Sequence, residues 1–149
     1  MTKPSSEKTP PQSDSSSEPT SEQLQGHVLV ADDNHLNQML IGVYLDKVGL
    51  TYDLAANGEE ALSLVKHTDY DLILMDIMMP VMDGIKATRA IFDLWGGEEK
   101  VPILALSAND ENSQIEEYVQ AGMRGLIPKP IRAEDFYAAV DALLDEKRS

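Results

Sequence analysis

The chain contains no cysteine, which removes a disulfide framework, a thiol nucleophile and a cysteine zinc site from consideration. It is also short of positive charge. Lys and Arg number 12 against 26 Asp and Glu, for a formal charge of -14 over 149 residues. A field of that sign disfavours nucleic acid and anionic membrane surfaces as primary partners. No apolar run approaches the roughly 18–20 residues of a membrane span, and the N-terminus lacks the apolar stretch of a signal peptide. What is present is 42% hydrophobic residues, enough for one packed domain at this length. A soluble, cytoplasmic, acidic domain is the expectation.

Residues 1–25 have a different composition from the rest. Fourteen of them are Ser, Thr or Pro, and only Met1 and Leu24 are apolar. Such a segment buries too little surface to offset its ordering entropy, so a disordered tail is predicted over 1–25 and a folded domain over 26–149. The tail carries only -2 of the charge, leaving -12 on the domain.

From His27 onward, short apolar runs alternate with helical patterns. The runs begin at His27, Thr51, Asp71, Pro102 and Gly125. Most are continuously apolar, as expected of parallel strands covered on both faces. Leu36, Met39, Leu40, Val43 and Val48 follow helical spacing, as do Phe136, Val140, Leu143 and Leu144. Residues 58–67, 83–94 and 111–121 are the other helix candidates. Five βα units of this kind predict a three-layer αβα sandwich around a five-stranded parallel sheet.

Open parallel sheets carry their sites beyond the carboxyl ends of the strands. Asp32 and Asp33 follow the first run, Asp76 the third, Ser107 the fourth, and Lys129-Pro130 the fifth. Each has an ordinary reading alone: Asp33 or Asn34 as a helix cap, Asp76 and Ser107 as turn residues, Lys129 as a solvated lysine. Four such groups, each ending a different strand, argue for a site. Three clustered carboxylates repel one another unless a cation sits among them, and one lysine cannot balance three. An oxygen-only ligand set favours a hard divalent ion, with Mg²⁺ suited to few protein ligands and several waters. His27, His35 and His67 show no metal-ligand spacing; His27 reads as a strand-edge residue and the other two as helix-surface residues.

Asp32-Asp33, Asp76 within Met75-Asp-Ile-Met-Met-Pro80, Asp83-Gly84, Ser107-Ala108 and Lys129-Pro130 together resemble the receiver domain of two-component response regulators. The resemblance covers residues 27–146, and the Asp-Asp-Asn34 and Asn37 pattern is similar to receivers associated with hybrid histidine kinases. It implies a flavodoxin-like (βα)5 fold with strand order 2-1-3-4-5. It further implies that Asp76 accepts a phosphoryl group from the phosphohistidine of a histidine kinase or histidine phosphotransfer protein. Asp33, Asp76 and the backbone carbonyl of Met78 would hold Mg²⁺, with Asp32 reaching it through water. Ser107 and Lys129 would contact phosphoryl oxygens, and the Lys129-Pro130 bond is expected to be cis.

Two positions depart from the commoner pattern. Ser107 stands where threonine is more usual, keeping the hydroxyl, and Leu126 occupies the fifth-strand position where many receivers carry a switching Tyr or Phe. Leu126 is expected to pack in the core, leaving the response to Ser107 and the backbone of residues 108–110. Met75, Met78, Met79 and Met82 are expected to fill core and loop gaps. No output domain is recognisable after the last helix, so signalling is expected through protein contacts of the fourth helix, fifth strand and fifth helix, with an unspecified downstream target. Two rival classes remain. A phosphorylation-independent scaffold commonly loses a site residue, and none is missing here. An aspartate-nucleophile phosphatase would want a second Asp two residues after Asp76, where Met78 stands.

Overall fold

The computed structural model describes residues 25–108 and 112–148, with backbone alone at 112–115 and 145–148. The predicted tail over 1–25, except Gln25, lies outside the described residues, as do Asn109 and Asp110. In chain order the elements are β1 (His27–Ala31), α1 (His35–Lys47), β2 (Thr51–Ala55), α2 (Gly58–His67), β3 (Leu72–Asp76), α3 (Gly84–Leu94), β4 (Ile103–Ser107), α4 (Asn112–Ala121), β5 (Gly125–Pro128) and α5 (Ala133–Arg148). Five parallel strands form one sheet in the order β2-β1-β3-β4-β5. Asp76 and Ser107 are thereby the last residues of their strands rather than the first loop residues beyond them.

The period-2 alternation of strand side chains divides the core in two. Val28, Val30, Leu72, Leu74, Leu104, Leu106 and Ile127 pack with Ile41 and Leu45 of α1 and Phe136, Val140 and Leu144 of α5. On the opposite face Leu29, Ala31, Ile73, Met75, Ile103 and Ala105 meet Ala61 of α2, Ala87 and Ile91 of α3 and Tyr118 of α4. Every residue of β3 and β4 is buried, whereas edge strand β2 is half open. Truncating one of the central leucines to Ala would cost about 2–5 kcal/mol.

Helix α1 forms where the spacing places it, but its five apolar residues divide. Val48 at its end is buried and Leu40 packs against the core, while Leu36, Met39 and Val43 are exposed. The buried stripe within the helix is Gln38, Ile41, Gly42 and Leu45, and because it contains a polar residue and a glycine, apolar spacing marks it only in part. A Cβ on Gly42 would collide with the Tyr52 hydroxyl, so a larger residue there would have to displace that ring. Three helices begin with side-chain caps: Asn34 accepts from Asn37 N, Asn57 from Glu60 N and Asp83 from Lys86 N, all at 2.9–3.0 Å. Tyr44 Oη donates to Ile131 O and Tyr137 Oη donates to Tyr44 O. These bonds tie α1 and α5 to the segment that follows Lys129-Pro130.

Candidate functional site

Strand order reverses at β1, whose neighbours are β2 on one side and β3 on the other. A crevice therefore opens beyond the carboxyl ends of β1 and β3, where their connections leave in opposite directions. Asp32, Asp33 and Asp76 stand there, with one carboxylate oxygen of each within 4.8 Å of the others. From β5 comes Lys129, whose Nζ donates to Asp76 Oδ2 at 2.9 Å and lies 3.4 Å from Asp32 Oδ2. The Lys129–Pro130 bond is cis, and Lys129 N donates to Ser107 O at 2.9 Å, so the lysine leaves β5 registered against the end of β4.

Local structure fixes each group. Asp32 is fully buried: its Oδ1 accepts from Asn34 N at 2.8 Å, and its carbonyl accepts from Gln38 Nε2 at 2.7 Å. Asn34 in turn caps α1, which assigns the capping role to Asn34 and leaves exposed Asp33 free to face the crevice. Asp76 is 2% exposed, and its Oδ1 accepts from Met78 N at 3.1 Å. The loop after it is held by Gly84 N donating to Ile77 O and Gly58 N donating to Met82 O. A Cβ on Gly84 would collide with Asp76 O, so this glycine lets α3 start directly against the acidic residue. Val81 takes a left-handed φ of 69° and Met82 N reaches back to Pro80 O at 2.7 Å, a strained tight turn for a β-branched residue.

The electrostatics follow from this packing. Burial pushes the Asp76 carboxyl up to about 6, with the Asp32 charge adding to the rise and the Lys129 and Met78 hydrogen bonds opposing it. Asp32 Oδ2 is buried with no hydrogen bond of its own. A buried carboxylate oxygen with no hydrogen bond and only a lysine 3.4 Å away, a second carboxyl with a raised pKa and a third exposed one describe a site short of positive charge. Its candidate ligand atoms are all carboxylate oxygens, which fits Mg²⁺. The deficit is a property of the side chains themselves.

Ser107 is buried at the end of β4, opposite Pro128 in the sheet register. The carboxylates, hydroxyl and lysine of the sequence analysis thus share one edge of the sheet. Met78 is exposed and its backbone borders the crevice through the bond to Asp76. Leu126 is half-buried against the cluster containing Met123 and Tyr118. Sequence reasoning missed Gln38, the buried amide that fixes the Asp32 backbone. Its only sequence signal is a polar residue three positions before Ile41 on the stripe that proves to be buried.

The sequence and the fold recur in known proteins. Residues 28–141 match the family described as the response regulator receiver domain. The transcription factor SKN7 of Candida albicans is 38% identical over 124 residues, 83% of this chain and 22% of that protein. Hybrid signal transduction histidine kinase K of Dictyostelium discoideum is 30% identical over 127 residues, 81% of this chain and 10% of that protein. The chain therefore spans about a fifth or less of these relatives. Among solved structures, the receiver domain of the sensor histidine kinase PA1611 from Pseudomonas aeruginosa superposes with a TM-score of 0.75 at 34% identity, covering 82% of this chain and 99% of that one. That structure is described with a magnesium ion coordinated in its active-site cleft. Sequence, topology and the acidic crevice at the β1–β3 switch point agree: the chain belongs to the receiver-domain family of two-component response regulators.

Proposed function

We propose that this chain is the phosphoacceptor of a histidine-to-aspartate relay, with Asp76 as the acceptor. The observation that carries the reading is the position of Asp76: buried, at the end of the central strand, and held at both oxygens by Lys129 Nζ and Met78 N. In the transfer the P–N bond of a phosphohistidine breaks, its electron pair returns to the imidazole nitrogen, and an Asp76 oxygen forms the new O–P bond. A loose phosphoryl-transfer transition state asks mainly for positioning and charge stabilisation. Lys129, 18% exposed at its side chain, supplies an ammonium to the phosphoryl oxygens and stays beside Asp32 once Asp76 carries the acyl phosphate. The Ser107 hydroxyl is the donor for a second oxygen. Asp33, Asp76 and the Met78 carbonyl would hold Mg²⁺, with Asp32 contributing through water. When bound, the ion supplies the missing positive charge and neutralises the incoming phosphoryl group.

The chemistry is a self-modification, so the domain acts as a signalling element rather than as an enzyme turning over a diffusible substrate. The donor is a histidine kinase or histidine phosphotransfer protein, read as working in the cytoplasm. Exposed Leu36, Met39 and Val43 on α1, together with Met78 and Val81 on the loop after Asp76, offer that protein an apolar landing around the crevice. The strongly acidic surface supports a protein partner over nucleic acid or an anionic membrane, and among the described residues no helix is long and apolar enough to cross a membrane. The folded unit is read as residues 26–149, with 1–25 as a tail.

Phosphotransfer profiling tests the reading. Candidate phosphotransfer proteins, radiolabelled on histidine, are mixed with the chain in Mg²⁺. Label should pass within seconds to minutes from one or a few donors to the wild type and not to Asp76→Asn. Transfer to both proteins alike would reject Asp76 as the acceptor.

A further inference from the structure

Gln38 is a polar side chain on a face that otherwise packs the core. It shares the buried stripe of α1 with Ile41 and Leu45 and is 8% exposed. Glutamine is mostly a surface residue, and an amide withdrawn from water weakens the fold unless its hydrogen bonds are replaced. Here Nε2 donates to Asp32 O at 2.7 Å. A carbonyl only accepts, so the amide must present its NH₂. An apolar side chain would pack on this stripe as Ile41 and Leu45 do, so packing alone gives no reason for the amide.

The bond matters because of the carbonyl it holds. Asp32 N donates to Ala55 O at 3.0 Å, continuing the β1–β2 ladder one step past the strands. The carbonyl of Asp32 belongs to the next peptide group, the one that joins Asp32 to Asp33. A peptide group is planar, so a hydrogen bond to its oxygen restrains the plane, and the two carboxylate stems leave from its two ends. Asp32 has a further anchor, its Oδ1 accepting from Asn34 N at 2.8 Å. The Asp33 side chain makes no hydrogen bond or ion pair among the described residues. Its place is therefore set by the backbone, and Gln38 is the side chain that holds that backbone on its Asp32 side.

Metal geometry makes this restraint consequential. One oxygen each of Asp32, Asp33 and Asp76 lies within 4.8 Å of the others. Mg²⁺ demands near-ideal octahedral geometry at about 2.0–2.1 Å, whereas Ca²⁺ accepts about 6–8 oxygens at roughly 2.3–2.6 Å in flexible arrangements. A peptide plane free to rock between Asp32 and Asp33 would therefore harm Mg²⁺ binding more than Ca²⁺ binding. A purely structural role for the amide, or a purely electrostatic one, has no such preference between two ions of equal charge.

We propose that Gln38 is a positioning residue of the metal site, its amide holding the Asp32–Asp33 peptide plane so that both carboxylates meet Mg²⁺ in octahedral geometry; this rests on the Mg²⁺ site read for the phosphoacceptor. Gln38→Met keeps the side-chain length and removes the donor. Ile41→Val, on the same stripe, loosens the packing and leaves the amide in place. Full-length wild type and both variants are titrated with Mg²⁺ and with Ca²⁺ by calorimetry at pH 7.5, well below their melting temperatures. Gln38→Met should bind Mg²⁺ roughly tenfold more weakly and lose less than about threefold for Ca²⁺, while Ile41→Val should match the wild type for both ions. In the wild type the Gln38 side-chain NH₂ signals should be protected from exchange and shift when Mg²⁺ is added. No saturable Mg²⁺ binding to the wild type would overturn the metal-site reading and this proposal with it. Saturable wild-type binding would overturn the proposal alone if Gln38→Met kept its Mg²⁺ affinity, lost both ions equally, or lost no more than Ile41→Val. Unprotected NH₂ signals indifferent to Mg²⁺ would do the same without any variant.

Discussion

Replacing Asp76 with Asn should stabilise the metal-free protein, against the usual direction for a substitution at a buried, hydrogen-bonded position. The folded-state pKa of Asp76 is about 6 against 3.8 for the free group. A carboxyl with a raised folded pKa contributes its stability fully below 3.8 and loses it as pH rises through about 6. At pH 7.5 the ionised group therefore costs the fold about 3 kcal/mol relative to a neutral carboxyl, from about two pKa units at 1.36 kcal/mol each. Asn is neutral and nearly isosteric but leaves Lys129 without its nearest anion, so the expected gain is about 1–3 kcal/mol. For a domain of this size that is roughly 4–12 °C in Tm. Thermal and urea unfolding in EDTA at pH 7.5 and pH 4.5 give the answer. The variant should be the more stable at pH 7.5, and the difference should shrink at pH 4.5, where Asp76 is largely protonated in the folded wild type. Mg²⁺ should then stabilise the wild type and have much less effect on the variant. Equal or lower stability of Asp76→Asn at pH 7.5, or the same gain at both pH values, would refute the electrostatic account.

Lys129→Ala should keep Mg²⁺ affinity or raise it, because the competing ammonium is gone, yet lose the amide shifts that beryllofluoride induces; calorimetry and NMR report the two halves separately. Leu126→Ala should lower stability by about 1–3 kcal/mol in urea titrations, since the side chain is only half-buried. Ser107→Ala should change stability little while suppressing the beryllofluoride shifts across residues 108–121. Gly84→Ala should fail to accumulate as folded protein by circular dichroism, because its Cβ meets the Asp76 carbonyl, whereas Gly96→Ala has open space and should cost only what its left-handed φ of 81° demands. Asp53 is held below the usual carboxylate range by the Tyr70 and His27 hydrogen bonds. Its contribution is present above about pH 4 and lost as pH falls further, and Asp53→Asn should flatten the acid limb of the stability curve.

The strands were legible because central parallel strands must be apolar on both faces, and β3 and β4 carry that signature without interruption. The acidic site was legible for a related reason. Aspartates at the ends of strands otherwise made of Leu, Ile, Val and Met have few structural excuses when several coincide. The facing of helix α1 was legible only in part: Leu40 and Val48 join the core, but Leu36, Met39 and Val43 are exposed while Gln38 and Gly42 are buried. Hydropathy spacing cannot tell an apolar outward face from a core stripe when the true stripe contains an amide and a glycine that lies against a tyrosine of β2. The role of Gln38 was hidden for the same reason, since its partner is a backbone carbonyl set by the β1–α1 turn.

The central claim is that Asp76 receives the phosphoryl group. Intact-protein and peptide mass spectrometry after incubation with a small-molecule phosphodonor and Mg²⁺ tests it without requiring the natural partner. The account predicts a single added phosphoryl group on the peptide containing Asp76, labile to base and hydroxylamine, absent in EDTA and absent from Asp76→Asn. A phosphoryl group mapped to another residue of the wild type, or undiminished labelling of the variant at the same stoichiometry, would contradict it.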